Sequence, residues 1–415
     1  MPDPQRPASA RSADTTVVYT GDRARIRRGE PHAPELCGGA AESAATAEAE
    51  TAQPAETVGS IGELDLLRRI LAIVPPSDAA ELGAGDDCAI VRAPGGRVVV
   101  TNDLMVEGPD FRRAWSTGFD VGFKAVASNL ADIAAMGAVP TGLVVGLAVP
   151  SATPVAWVVD FAEGLRSGLE SMAPGCGVVG GDLSTASAVT VSITALGALD
   201  DGVREVVRSG ARPGDVVAVC GPVGVSGTGL SLLYAFARTP DGEASAELAE
   251  ELRARSVDVD ATVMTHVAPR PRVDAGPTAA RAGATAMLDV SDGLLLDAAR
   301  IARASGVDLD LSSTELARDV ARAASVLADV MPGVASEELE SRARRLVLTG
   351  GEDHGLLATF PPDAPIPMPF RPIGVVRESA PDAGGRVLVD GEPQRPAGWD
   401  PYAWDLGWTG ISGAR

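Results

Sequence analysis

The sequence predicts an α/β (α+β) fold arranged in two domains, and three observations point there. Its 415 residues are enough for two cores of ordinary size, and 45% of them are apolar, well above the range of chains that stay unfolded. Short Val/Leu/Ile runs alternate with segments of helical spacing through most of the length. Each half also carries a strand that runs into an acidic, glycine-bearing turn, although no short-period repeat is present.

The elements follow in order. Residues 1–57 are rich in Ala, Glu, Thr, Ser and Pro without apolar periodicity, so this segment reads as a disordered extension. Ile61, Leu64, Leu67, Ile70 and Leu71 recur at helical spacing before Pro75-Pro76, which begins the folded part. Apolar runs at Ala89 to Val91 and Val98 to Thr101 read as strands. A helix is expected at Gly122 to Met136, closed by Gly137, followed by a strand at Leu143 to Val149. A helix at Val155 to Met172 and strands near Val178 and at Val189 to Leu196 complete a first domain, 58–207.

Ser209-Gly210-Ala211-Arg212-Pro213-Gly214-Asp215 reads as a turn into a strand at Val216 to Val219, so a second domain is placed at 208–405, with a tail at 406–415. It holds helices near Leu230 to Ala237 and Ala244 to Arg255, and a strand at Ala286 to Val290 leading into another helix. Asp308-Leu309-Asp310-Leu311-Ser312 alternates polar and apolar residues as an exposed strand does, and Arg342 to Arg345 reads as a solvated helix face.

A formal charge of −21 excludes an electrostatic grip on nucleic acid or on an anionic membrane. Cys37, Cys88, Cys176 and Cys220 form no C-x-x-C pair and read as buried thiols of a reducing compartment. Three histidines, His32, His266 and His354, are too few and too scattered for a transition-metal site. A hard cation on oxygen ligands remains open. No apolar stretch of membrane-spanning length and no secretory core is visible, so the expected location is cytoplasmic.

The chain has one lysine, Lys124, and no G-K-[ST], which excludes a lysine-bearing phosphate loop. Lys124 itself reads as a surface charge on its helix. What the sequence offers instead is a series of acidic turns beside small residues, several at expected strand ends: Gly85-Asp86-Asp87, Thr101-Asn102-Asp103, Asn129 to Asp132, Gly180-Gly181-Asp182, Asp289 to Gly293 and Gly350-Gly351-Glu352-Asp353. Gathered carboxylates repel unless cations lie between them. Mg²⁺ suits such oxygens and takes its remaining ligands from water and phosphate. Each turn alone reads first as a solvated turn, since Gly and Asp are ordinary turn residues.

Taken together, G-D-D-C-A at 85–89, T-N-D-L-M-V-E-G at 101–108, N-L-A-D-I-A-A-M-G-A at 129–138, V-G-G-D at 179–182, R-S-G-A-R-P-G-D at 208–215, D-V-S-D-G-L at 289–294 and G-G-E-D at 350–353 resemble the thiamine-monophosphate kinases. These belong to the superfamily of aminoimidazole ribonucleotide synthetase, and the likeness runs from about Gly62 to Trp399. The resemblance implies the two-domain fold of that superfamily and a homodimer made by pairing N-domain sheets. It implies Mg²⁺ on Asp87, Thr101, Asn102, Asp103, Asp132, Asp182, Asp289 and Asp292, and ATP at Gly181, Asp182, Arg208 and Ser291. Phe161 is the nearest candidate to stack on the nucleotide, because no tyrosine precedes the Gly180 turn. Glu352 and Trp399 are implied at the thiamine phosphate, and Asp110 stands where the family usually has a histidine near the substrate. Asn102 likewise replaces a usual hydroxyl residue.

The activity so implied is transfer of a phosphoryl group from ATP to thiamine monophosphate, giving thiamine diphosphate. Two other readings are a sister ATP-dependent synthetase, which would lack the Gly350 turn and Trp399, and a non-catalytic nucleotide or divalent-cation module.

Overall fold

A computed structural model describes residues 56–84, 88–380 and 384–399. Asp87, His32, Cys37, residues 1–55 of the expected N-terminal extension and the tail at 406–415 lie outside the described residues. Two short helices, α1 (Val58–Ile61) and α2 (Glu63–Leu71), precede a small hairpin, β1 (Ala80–Leu82) with β2 (Ile90–Val91). Next come β3 (Val99–Val106), α3 (Gly118–Ala135), β4 (Val139–Val149), α4 (Val155–Met172), β5 (Gly177–Thr185) and β6 (Thr190–Ala198). The second half contains β7 (Val216–Cys220), α5 (Val225–Phe236), α6 (Ala246–Arg253), α7 (Val257–Val267), α8 (Ala275–Arg281) and β8 (Ala286–Val290). It continues through α9 (Leu294–Ser305), β9 (Val307–Leu311), α10 (Ser313–Val330), α11 (Ser336–Thr349), β10 (Gly355–Phe360), β11 (Arg371–Glu378), β12 (Val387–Val389) and β13 (Glu392–Gln394).

The first main sheet has the order β3-β6-β4-β5, in which β4 and β5 are parallel and joined by the α4 crossover. The second has the order β13-β12-β9-β11-β7-β10-β8 and is antiparallel except for β12 with β9. Its strands β8, β9 and β10 are buried along their whole length. This corrects the reading of 308–312 as an exposed strand. Asp308 and Asp310 are buried because Arg386 and Arg377 reach over them, at 2.6 and 2.5 Å, so the alternation of acid and leucine marks ion pairing rather than a solvent face.

Helix α3 positions the site. Thr117 caps it, its hydroxyl accepting from the Asp120 amide at 3.2 Å while the Asp120 carboxylate accepts from the Thr117 amide at 2.9 Å. That cap starts the helix at Gly118, one turn before the apolar pattern becomes regular. The helix packs on β3, β4 and β6 of the first sheet and on β8 and β10 of the second. Burial on nearly every side follows from this central place. Its approach to α4 is close: a Cβ at Gly122 would lie 2.1 Å from the Phe161 carbonyl oxygen, and one at Gly164 would lie 2.1 Å from that of Phe119. Leu130, Ile133, Leu143, Leu165, Leu169 and Ile193 fill the adjoining core, each side chain of this size contributing about 1.5–3 kcal/mol on burial. Among the described residues no helix is long and apolar enough to cross a membrane.

Candidate active site

Strand β3 sends alternate side chains to opposite faces of its sheet. Thr101 and Asp103 face α3. The Thr101 hydroxyl donates to the Asp132 carboxylate at 2.7 Å, and the Asp103 amide donates to the Asn129 side-chain oxygen at 3.2 Å. Asn129 is anchored in turn by its amide group on the Ala125 carbonyl, at 2.9 Å. From the second sheet, Asp289 enters the same space near the end of β8, and His354 Nδ1 stands 3.4 Å from its carboxylate.

Burial pushes the Asp132 carboxyl up to about 7, and the negative charges of Asp289 and then Asp103 push in the same direction. Asp103 is raised as well, chiefly by burial, with His354 opposing and Asp289 adding. Three acids, one from each sheet and one from α3, therefore repel one another across one space. Among the described residues no three His, Cys, Asp or Glu side chains close on a point as a finished ion cage. The donor chemistry nevertheless fits Mg²⁺, which needs only one or two carboxylates when phosphate and water supply the rest of its octahedron.

A narrow pocket of about 30 Å³ adjoins these acids, and Asp110, Glu352 and Trp399 all line it, together with His266 and Trp115. Glu352 sits at φ 62° in the loop between α11 and β10, a left-handed conformation that a non-glycine residue holds only under constraint. The constraint is visible in two backbone hydrogen bonds, Glu352 N–H to Ser291 at 2.7 Å and His354 N–H to Val290 at 2.9 Å. The Trp399 amide donates to the Asp292 carbonyl at 2.8 Å, which ties the aromatic side of the pocket to the β8–α9 turn. Asp110 accepts from the Val106 amide at 2.7 Å; burial raises its carboxyl although that hydrogen bond lowers it. Arg112 lies 4.9 Å from the Trp115 ring centroid and 4.8 Å from that of Tyr234, bracing the pocket wall.

Lys124 corrects the sequence reading. It is 3% exposed, and its ammonium donates to Glu352 at 2.5 Å and to the Asp110 carbonyl at 3.3 Å. Burial alone would raise Glu352, but the Lys124 ammonium, through its charge and its hydrogen bond, outweighs it and holds the carboxyl below its ordinary range. His266 is pushed down to about 3, first by burial and then by Lys124, so it is neutral.

Other expected residues lie elsewhere. Asn102 faces the outer side of the sheet, donating to Ser192 and Thr194 at 3.1 and 3.0 Å. Asp182 falls in the row Leu104, Ser192, Gly146, Asp182, which is also outer. Strands β3 and β5 are opposite edges, about 14 Å apart at ordinary strand spacing. Asp292 is ion-paired to Arg300, which also holds Asp297 at 2.5 Å. Ser291 occupies the β8–α9 turn and gives its carbonyl to Glu352. Arg208 is exposed on the segment joining the sheets, its carbonyl accepting from Ser305 at 2.9 Å at the far end of α9 from Ser291.

Gly181, Asp182 and Phe161 line a separate cavity of about 280 Å³ beside β5. A Cβ at Gly181 would lie 2.2 Å from the Val145 carbonyl oxygen, so only glycine fits there. Phe161 is 1% exposed and stacked on Trp157, and so forms a wall rather than a free ring face. The structure thus brings Thr101, Asp103, Asp132 and Asp289 together at α3, while Asn102 and Asp182 face the outer side of the sheet and Asp292 is paired with Arg300. Thr101 and Asp103 also lie mid-strand rather than at a strand end. Cys88 is exposed, against the expectation that the thiols are buried.

Sequence reasoning missed Lys124, His266, His354 and Asn129 as members of the site. His354 was within reach, since it directly follows the Gly350 to Asp353 motif. For Lys124 the available signal was that the chain has no other lysine.

Two packed sheets, with buried carboxylates from both meeting across a central helix, define an architecture shared with the AIR synthase related proteins. Residues 85–199 match the family description "AIR synthase related protein, N-terminal domain", and 212–357 match the corresponding C-terminal domain. A thiamine-monophosphate kinase of Mycobacterium tuberculosis (strain CDC 1551 / Oshkosh) is 40% identical over 363 residues, covering 86% of this chain and 93% of its own length. The chain belongs to the thiamine-monophosphate kinase family. Among solved structures, the thiamine-monophosphate kinase from Stenotrophomonas maltophilia K279a superposes with a TM-score of 0.61 at 28% identity, covering 80% of this chain and 96% of that one. A structure described as AaThiL complexed with AMPPCP and TMP gives 0.60 at 29% identity, covering 82% and 96%.

Proposed function

We propose that this protein transfers the γ-phosphoryl group of ATP directly, in line, to the phosphate of thiamine monophosphate, forming thiamine diphosphate and ADP. The observation that carries this is the meeting of Asp110, Glu352 and Trp399 in one pocket beside the Asp103, Asp132 and Asp289 group. An ionised carboxylate and an aromatic face suit a cationic thiazolium and its pyrimidine. Asp103, Asp132 and Asp289 would hold Mg²⁺, with Thr101 beside them and Asp87 and Asp182 as further candidates. When bound, the metal would supply charge neutralisation for the phosphates.

The protein's own groups then have two tasks. Glu352 and Trp399 orient the acceptor, whose phosphate is already an oxyanion and gives up no proton, so no general base is required. Gly181, which packs its backbone against Val145, would offer main-chain groups to the nucleotide, and the exposed Arg208 guanidinium is a planar donor suited to phosphate oxygens. Ser291 would add a hydroxyl at the β8–α9 turn.

The working form is proposed as a cytoplasmic homodimer of two-domain chains, 58–207 and 208–405, joined through the outer face of the first sheet. Support for the dimer comes from Val100, Leu104 and Val144, which that face leaves exposed. The test of the activity is to incubate the full chain with ATP, Mg²⁺ and thiamine monophosphate and to separate the products. Equal amounts of thiamine diphosphate and ADP are expected; ATP consumption without thiamine diphosphate would point to a sister synthetase and refute the assignment.

A further inference from the structure

We infer that Lys124 is the positioning residue of the acceptor pocket: from α3 it holds the Glu352 carboxylate charged and aimed, so that each sheet's contribution to the pocket depends on the other. This rests on the acceptor reading given above. Four observations carry it. Lys124 is the single lysine of the chain and is 3% exposed. A buried ammonium persists only with a partner, and its partner is Glu352 at 2.5 Å. Its second contact is the Asp110 carbonyl at 3.3 Å, so one cation touches two of the three pocket residues, Asp110, Glu352 and Trp399, assigned to the acceptor. Glu352 is delivered by a left-handed backbone, φ 62°, in a loop of the other sheet.

The neighbouring His266 cannot take over the role. Its Nδ1 stands 3.4 Å from Glu352 and 3.1 Å from the Ser226 hydroxyl, and burial keeps the ring neutral. Lys124 is therefore the cation that allows Glu352 to remain an anion at the floor of the pocket. A carboxylate at that place distinguishes an acceptor with a ring cation from a phosphate monoester of similar size whose ring carries no charge.

The test is steady-state kinetics on the full chain with both substrates varied, for wild type, Lys124→Met, Lys124→Arg, Glu352→Gln and the double variant Lys124→Met/Glu352→Gln. Lys124→Met should raise KM for thiamine monophosphate by roughly 30-fold or more, as expected for truncating one partner of a buried charge pair, with KM for ATP within about twofold. Lys124→Arg should recover part of that loss. The double variant should match Glu352→Gln alone, because the two residues act as one unit. It also removes both charges, so it should fold even if Lys124→Met does not. A parallel rise in both KM values, or a double variant worse than Glu352→Gln, would overturn the inference. If wild type makes no thiamine diphosphate, the acceptor reading fails and the inference falls with it; if only the variant pattern fails, the acceptor reading stands.

Discussion

At the scale of single residues, the site stores unfavourable charge. Asp132 is raised to about 7 by burial and then by Asp289 and Asp103. Between about pH 4 and pH 7 the folded state therefore keeps a proton that the unfolded chain releases. The stability tied to this group is present below the unfolded value and is lost as pH climbs through about 7. In metal-free protein, Asp132→Asn should flatten that slope. It should raise the Tm at pH 7.5 by roughly 2–4 °C while turnover falls at least about a hundredfold through the lost metal ligand. Thermal melts in EDTA from pH 4 to 8, paired with activity assays, check both halves; a variant less stable than wild type at pH 7.5 would contradict the charge account. Lys124 shows the limit of reading such residues from sequence. A lone lysine on a helix is ordinarily a surface charge, and only the placement of α3 between two sheets makes it a buried cation paired with Glu352.

At the scale of elements, local chemistry foretold a good deal. Val155 to Met172 and Ala286 to Val290 were bounded by apolar spacing and by turn residues, and the helix and strand found there have those bounds. The start of α3 differs from the apolar pattern because a capping threonine decides it, and the alternation in β9 does not mean exposure because it cannot report Arg377 arriving from β11 and Arg386 from the segment before β12. Alternation also decides which parts of the T-N-D motif act together. Thr101 and Asp103 point to α3, while Asn102 points outward with Val100 and Leu104, whose exposures of 62% and 59% leave an apolar face. Such a face on a sheet edge invites a partner. Leu104→Asp should convert the proposed dimer to monomer, read by sedimentation equilibrium, with the helical circular-dichroism signal unchanged; a wild-type chain that sediments as a monomer at micromolar concentration would exclude this interface.

At the scale of the whole molecule, the candidate site exists because one helix lies between two sheets. Asp132 on α3, Asp103 on β3 and Asp289 on β8 are separated by up to half the chain, yet their charges meet across α3. The motifs that carry them were legible as acidic turns, but their division was not. The sequence shows Asp182, Asn102 and Asp292 in the same kind of setting as Asp103, whereas strand register places two of them on the opposite face and an arginine occupies the third. The account turns on whether Asp103, Asp132 and Asp289 are where the metal sits. The direct measurement is anomalous diffraction from crystals of the full chain grown with Mn²⁺ and a non-hydrolysable ATP analogue. The account predicts anomalous peaks at coordination distance from those three carboxylates and from the analogue's phosphates, and peaks confined to other acids, with these three unligated, would contradict it.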